Sequence, residues 1–158
     1  MRKINIPKYR IIIIKNILFD INGTLQFQGK ISPELIIKFN ELKKIYKIYL
    51  ISADTRGNLK DIAETLDVDY IKIKPQEITG TEAKNNELIR IGKDVTVAVG
   101  NGNNDALMLK NAVLGIVILG NEGASIKSIM NSDVALPDPL SALNFLLDEK
   151  IMIATLRS

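Results

Sequence analysis

Asn16-Ile17-Leu18-Phe19-Asp20-Ile21-Asn22-Gly23-Thr24 is the stretch on which the fold turns. Its first four residues read as a short buried strand, and Asp20 to Thr24 as the loop by which the chain leaves it. A carboxylate at the end of a buried strand is costly to desolvate unless it caps a turn or serves a site. On this segment alone both readings stand.

Outward from this strand, apolar β-branched runs alternate with amphipathic segments. Before it, an extended stretch reads as a hairpin arm ending near Ile14. After it, residues 25–31, bent at Gly29, read as a small β flap, and Ser32-Pro33-Glu34 opens a helix running to about Ile45. Further strands are expected at 47–51, 70–73, 95–99, 113–119 and 134–136. Helices are expected at 57–66, 81–91, 106–111, 124–130 and, last, 140–147. Strands separated by helices pair in parallel through right-handed crossovers. The expectation is one α/β domain over residues 1–158, a doubly wound Rossmann-like parallel sheet with helices on both faces.

Ligands of such sheets sit beyond the carboxyl ends of the strands, which selects the loops after Phe19, Ile51 and Val99. All three are polar: Asp20-Ile21-Asn22-Gly23-Thr24, Ser52-Ala53-Asp54-Thr55 and Gly100-Asn101-Gly102-Asn103-Asn104-Asp105. The third is not a hairpin turn, because Ala106 to Lys110 continues as a helix. It is not a dinucleotide fingerprint, because Asp105 stands where the third glycine belongs. A calcium loop begun at Asn101 would need Gly and Glu where Ala106 and Ala112 stand. A plain connection and a loop offering hard oxygen ligands from Asn101 and Asp105 both remain. Ser52 could equally cap a helix, Asp54 occupy a turn, and Lys84 be a solvated helix lysine.

Composition narrows the chemistry. With no Cys and no His, the chain builds no thiolate site, imidazole triad or ordinary zinc site, so hydrolytic chemistry falls to carboxylates. The longest apolar run, Ala112 to Leu119, is far short of the roughly 20 residues of a membrane span. No cleavage site follows Ile11–Ile14, and a cytoplasmic location is expected. A net charge of +3 comes from scattered lysines with 5% aromatic residues, so a solvated basic surface is preferred to a nucleic-acid partner.

Taken together, the segments resemble the haloacid-dehalogenase-like superfamily. Asp20-Ile21-Asn22-Gly23-Thr24-Leu25 resembles its first motif, Ser52-Ala53-Asp54 its second, Lys84 its third and Gly100 to Asp105 its fourth, in order. The similarity extends over almost the whole chain. It is greatest to the soluble, archaeal-type group related to the phosphorylation domain of P-type ATPases, including the ending Ala142-Leu143 to Arg157. The spacing between motifs leaves no room for a cap domain.

The resemblance implies a phosphohydrolase or phosphotransferase dependent on magnesium (Mg2+) and acting on a small phosphorylated metabolite. In it Asp20 is the nucleophile, and Asp20, the Asn22 carbonyl, Asn101 and Asp105 hold the metal. Ser52 and Lys84 bind the phosphoryl oxygens, and the backbone around Gly23, Thr24 and Ala53 completes the phosphate cradle. Active phosphatases usually carry a second Asp at the position of Asn22, and an amide exchanges no proton at neutral pH. The alternative is a catalytically weak phosphate-binding or regulatory module. A capless site also suggests a homo-oligomer built over it.

Overall fold

The computed structural model describes residues 1–25, 31–74 and 79–158, so the expected β flap lies almost wholly outside the described residues. The chain begins with an antiparallel hairpin of β1 (Arg2–Ile6) and β2 (Arg10–Ile14). Alternation buries Ile4, Ile6, Ile12 and Ile14 on one face. The Arg2 guanidinium donates to the carbonyls of Leu146 and Leu147, that of Arg10 to the Val113 carbonyl, and the Lys15 amide to the Val95 carbonyl. Val95 and Val113 stand just before strands begin, and Leu146 and Leu147 end a helix that packs on the same sheet, so the hairpin closes the amino end of the main sheet.

That sheet consists of β3 (Asn16–Asp20), β4 (Lys47–Ser52), β5 (Asp69–Lys72), β6 (Thr96–Gly100), β7 (Leu114–Ile118) and β8 (Val134–Leu136). All neighbours pair in parallel, in the order β5-β4-β3-β6-β7-β8. On one face lie α1 (Pro33–Lys43), α2 (Leu59–Leu66), α6 (Pro139–Leu147) and α7 (Glu149–Leu156), sharing a core with Ile17, Phe19, Leu50, Val99 and Ile116. The Phe19 and Phe39 rings meet there at 5.2 Å. On the other face α3 (Gly80–Ile91), α4 (Ala106–Asn111) and α5 (Ile126–Met130) cover Leu18, Ile51, Ala98 and Val117. Successive residues of β3 thus serve opposite cores, as strand geometry requires.

Local signals explain the helix starts. The Ser32 hydroxyl accepts the Leu35 amide with Pro33 in the first turn, and Thr79 and Glu82 form a reciprocal capping box. One expectation needs correction: α6 is not the last helix, since α7 follows at once. Asp148 accepts the amides of Lys150 and Ile151 and restarts the helix, and Met152 is buried. No helix among the described residues is long and apolar enough to cross a membrane. Nor does any cap domain interrupt them.

The contact between α4 and β7 depends on Gly115, because a Cβ there would lie 2.3 Å from the Leu109 carbonyl oxygen. Backbone cannot yield as a side-chain tip can. Gly115→Ala should therefore destabilise the fold by about 1–3 kcal/mol, read as a lower urea midpoint, and an unchanged midpoint would contradict this packing.

Candidate active site

The chain builds β3, β4 and β5 to one side, then returns to the other side of β3 with β6. The order therefore reverses between β3 and β6, where doubly wound sheets open a crevice. Phe19 is paired with Val99, so Asp20 ends its strand beside Gly100. Ser52 ends β4 on the other flank.

Three charged side chains meet in this crevice. The Lys84 ammonium lies 2.6 Å from Oδ1 of Asp20 and 2.6 Å from Oδ1 of Asp105, and Lys84, Asp20 and Asp105 are 3, 4 and 0% exposed. The capping box of α3 fixes the helix start a turn ahead of Lys84. The other Asp105 oxygen accepts the amides of Asn101 and Gly102 at 3.0 and 2.9 Å, so one carboxylate holds both the lysine and the loop. Gly100 permits this, since a Cβ there would stand 2.6 Å from Cγ of Asp105. From α5, Ser128 donates to the Gly102 carbonyl, and just before that helix the Ser125 amide donates to the Asn101 carbonyl.

The remaining expected residues close around this triad. The Thr24 hydroxyl is buried 3.3 Å from Oδ2 of Asp20 and 3.3 Å from Oδ1 of Asn101. Its amide closes a turn to the Ile21 carbonyl, so the hydroxyl is the group Thr24 offers to the site, not the amide expected from sequence. The Asn22 amide donates to the Ser52 hydroxyl at 3.4 Å. Gly23 turns the loop at φ 75°, and Ala53 is exposed just past Ser52.

Sequence reasoning passed over Asp54 as a turn residue. Its amide donates to the Ser52 hydroxyl at 3.0 Å, and its carboxylate accepts the Leu59 amide at 2.9 Å and the Lys72 ammonium at 2.7 Å. The Lys72 ammonium and the Leu59 amide together hold the Asp54 carboxyl below its ordinary value. Its one sequence signal was a residue type tolerant of the left-handed region it occupies, at φ 56°.

Electrostatically the triad is short of positive charge. Burial, and then the charge of Asp105, push the Asp20 carboxyl up to about 7, against the pull of Lys84 and Thr24. Burial opposes the charge on Lys84, but Asp20 and Asp105 more than reverse this and hold it protonated, above its ordinary value. Two carboxylates share one ammonium. Nearby, one Thr24 proton serves two acceptors, Oδ2 of Asp20 and Oδ1 of Asn101. A hard divalent cation suits such an oxygen cluster. No group of three or more His, Cys, Asp or Glu that could hold a metal gathers among the described residues. Two carboxylates supplemented by neutral oxygens would suit magnesium, since that ion commonly takes one or two protein carboxylates plus substrate phosphate.

A cavity of about 90 Å³ opens beside Gly23 and Thr24, walled by Gly120, Asn121, Glu122 and Pro137. Larger hollows of about 400 Å³ beside Tyr46 and about 740 Å³ beside Arg2 lie toward the amino end of the sheet, away from the buried charges.

The chain has the haloacid-dehalogenase-like fold. Its structure is similar to that of the 3-deoxy-D-manno-octulosonate 8-phosphate phosphatase of Moraxella catarrhalis, in complex with magnesium, phosphate and KDO. There the TM-score is 0.69 at 14% identity, over 91% of this chain and 94% of that one. The cobalt-bound Haemophilus influenzae phosphatase of the same substrate gives 0.65 at 12% identity, over 90% and 89% of the two chains. The Yersinia pestis phosphatase of that name gives 0.63 at 14% identity, over 90% and 84%. In sequence, the chain is 52% identical over 61 residues to an uncharacterised protein of Methanocaldococcus jannaschii, 39% of this chain and 66% of that protein. No family model matches.

The Asp20 shift fixes the sign of a pH effect. Its folded value, about 7, stands above its ordinary 3.8, so its stabilising contribution is complete below pH 3.8 and is lost as pH rises through 7. Asp20→Asn removes the excess charge and leaves Lys84 paired with Asp105. In chelator, its melting temperature relative to the unsubstituted protein should climb between pH 4 and 8. A difference that stays flat over this window would show that Asp20 is ionised throughout.

Proposed function

We propose that the chain is a magnesium-dependent phosphohydrolase or phosphotransferase acting on a small phosphorylated metabolite through an aspartyl phosphate at Asp20. The observation that carries this is the buried Asp20–Lys84–Asp105 triad at the reversal point of the sheet. Burying three charges is poor stabilisation and good preparation for phosphoryl transfer, which asks a protein mainly for positioning and charge neutralisation.

In this reading an Asp20 carboxylate oxygen attacks phosphorus, the bond to the leaving oxygen breaks, and that oxygen takes a proton from solvent water. Water then cleaves the aspartyl phosphate, releasing inorganic phosphate and restoring the carboxylate. Lys84 and the Ser52 hydroxyl donate to the phosphoryl oxygens that gain charge, and Gly23 and Ala53 let backbone approach them. Asp20, the Asn22 carbonyl, Asn101 and Asp105 would hold Mg2+, which supplies the positive charge that lets two anions meet. Phosphatase activity and divalent metal in similarly folded proteins support the reading. The described residues leave the site uncapped, and a second copy covering it belongs to the same proposal.

Asn22 and Asn101 favour a second reading, a weak phosphate-binding or regulatory module. Neither amide exchanges a proton, and neither adds negative charge for the metal. The resemblance of the Asp20 to Leu25 segment to P-type ATPases, in which the aspartyl phosphate persists, would point the same way.

Magnesium with beryllium fluoride should raise the melting temperature by ligand linkage, and the shift should vanish in Asp20→Asn. Lys84→Met strands two buried carboxylates, so it should lose both fluoride binding and about 3–5 kcal/mol of stability. A shift surviving in both variants would move the site elsewhere. Hydrolysis should be slow and should rise in Asn22→Asp, general acid–base assistance being worth about 10²–10⁴-fold. Equal turnover by both proteins on alkyl phosphates would mean that another group supplies the proton.

A further inference from the structure

Ser52 matters in the proposed function only if its proton points at the substrate. A hydroxyl has one donor and two acceptor positions. Here the Asp54 amide at 3.0 Å and the Asn22 side-chain amide at 3.4 Å both donate to Oγ, and Ser52 is buried. With both acceptor positions used, the proton is the group left to donate, and it cannot turn back onto either amide.

The stronger of these two contacts comes from a backbone conformation that needs holding. Asp54 lies in the left-handed region at φ 56°, at a cost in strain for a residue other than glycine. Its carboxylate supplies the hold. One oxygen accepts the first amide of α2, from Leu59, and the other takes the Lys72 ammonium at 2.7 Å. Lys72 is the register partner of Ser52 across β4 and β5, so the lysine that grips Asp54 grows from the strand position beside the hydroxyl being aimed. Asp54 and Lys72 thus tie the end of β4, the start of α2 and the end of β5 into one frame. The Asp54 side chain is only 9% exposed, so this carboxylate is packed into the frame instead of ranging through solvent.

We propose that Asp54, anchored by Lys72, is a positioning residue that fixes the Ser52 hydroxyl as a donor to the phosphoryl group. Neither residue touches the substrate. The proposal rests on the phosphoryl site described above and adds a device that sets how well one of its donors works. Because Lys72 is half exposed, the anchor should weaken at high salt. The site would then bind anions less well in salt through this pair as well as through direct screening.

The test measures affinity for beryllium fluoride in saturating magnesium by calorimetry on folded, full-length protein. Ser52→Ala should weaken binding roughly ten- to a hundredfold, the value of a hydrogen bond to a charged group. Asp54→Gly keeps the left-handed backbone free of strain but removes the carboxylate, and Lys72→Met is a surface change that leaves the fold intact. Both should weaken binding by up to the Ser52→Ala loss, and Asp54→Asn, which retains an acceptor for the Leu59 amide, by less than Asp54→Gly. The deciding measurement is the double variant. Adding Ser52→Ala to Asp54→Gly should cause no loss beyond that of Ser52→Ala alone, because both act through one proton.

Independent, multiplying losses would overturn the positioning role and leave Asp54 a structural turn residue. So would full affinity in Asp54→Gly and Lys72→Met. Failure of the unsubstituted protein to bind would instead overturn the phosphoryl site itself, and the role of Asp54 with it.

Discussion

The Lys84 ammonium held between Asp20 and Asp105 is the constraint to which the rest of the site is fitted. Each 2.6 Å contact joins a different part of the fold: α3 to the end of β3 in one case, α3 to the loop after β6 in the other. Moving any of the three elements would leave a buried charge without its partner, at several kcal/mol. The parallel register of β3 with β6 places Asp20 beside Gly100, and the missing Cβ of Gly100 lets Asp105 fold back over it. Hydrophobic side chains of similar volume would hold the same elements together as well or better. Stability alone therefore does not account for these charges.

The two ends of the sheet divide the work. At the amino end the hairpin buries four isoleucines and anchors two arginines on backbone carbonyls, which favours stability and offers no reactive group. At the carboxyl end every strand near the reversal point finishes in a polar residue: Asp20 on β3, Ser52 on β4, Asn101 just past β6. The apolar layers on both faces carry the cost of that polar edge. Leu18 and Ile51 pack on one side, Phe19 and Leu50 on the other, so the last residues before the site are fixed from both faces. Polar groups assembled from three loops keep their spacing because the strands beneath them cannot slide.

Much of this was legible in the sequence, and the limits have physical causes. Short β-branched runs separated by helical segments specify a parallel sheet, and the polar loops after Phe19, Ile51 and Val99 follow from topology. Lys84 was different. On α3 Lys84 shares a face with Leu88 and Ile91, which turn toward the core, but a lone lysine on a helix is by default solvated, and so it read. Only the partners at the strand ends show why a lysine is buried there. The last helix was missed because Asp148 both ends α6 and caps α7, so no loop separates them. The Asp54–Lys72 pair was out of reach for another reason: it depends on the register of β4 with β5, which neither residue encodes locally.

Asn22 and Asn101 make electrostatic sense once the triad is in view. The crevice already carries one more carboxylate than ammonium, and the Asp20 carboxyl stands at about 7 as a result of burial and Asp105. A third or fourth carboxylate at position 22 or 101 would raise it further, since a like charge nearby disfavours ionisation. Asp20 would then be protonated over more of the physiological pH range whenever cation is absent. Neutral amides avoid that while still offering oxygen atoms. On the proposed function, the corresponding loss is proton exchange at position 22 and negative charge for a metal at position 101. Under the proposed function, this balance favours forming an aspartyl phosphate over discharging it. Under that same function, the residues that keep Asp20 ionisable would be the ones that make release of its phosphate the slow event.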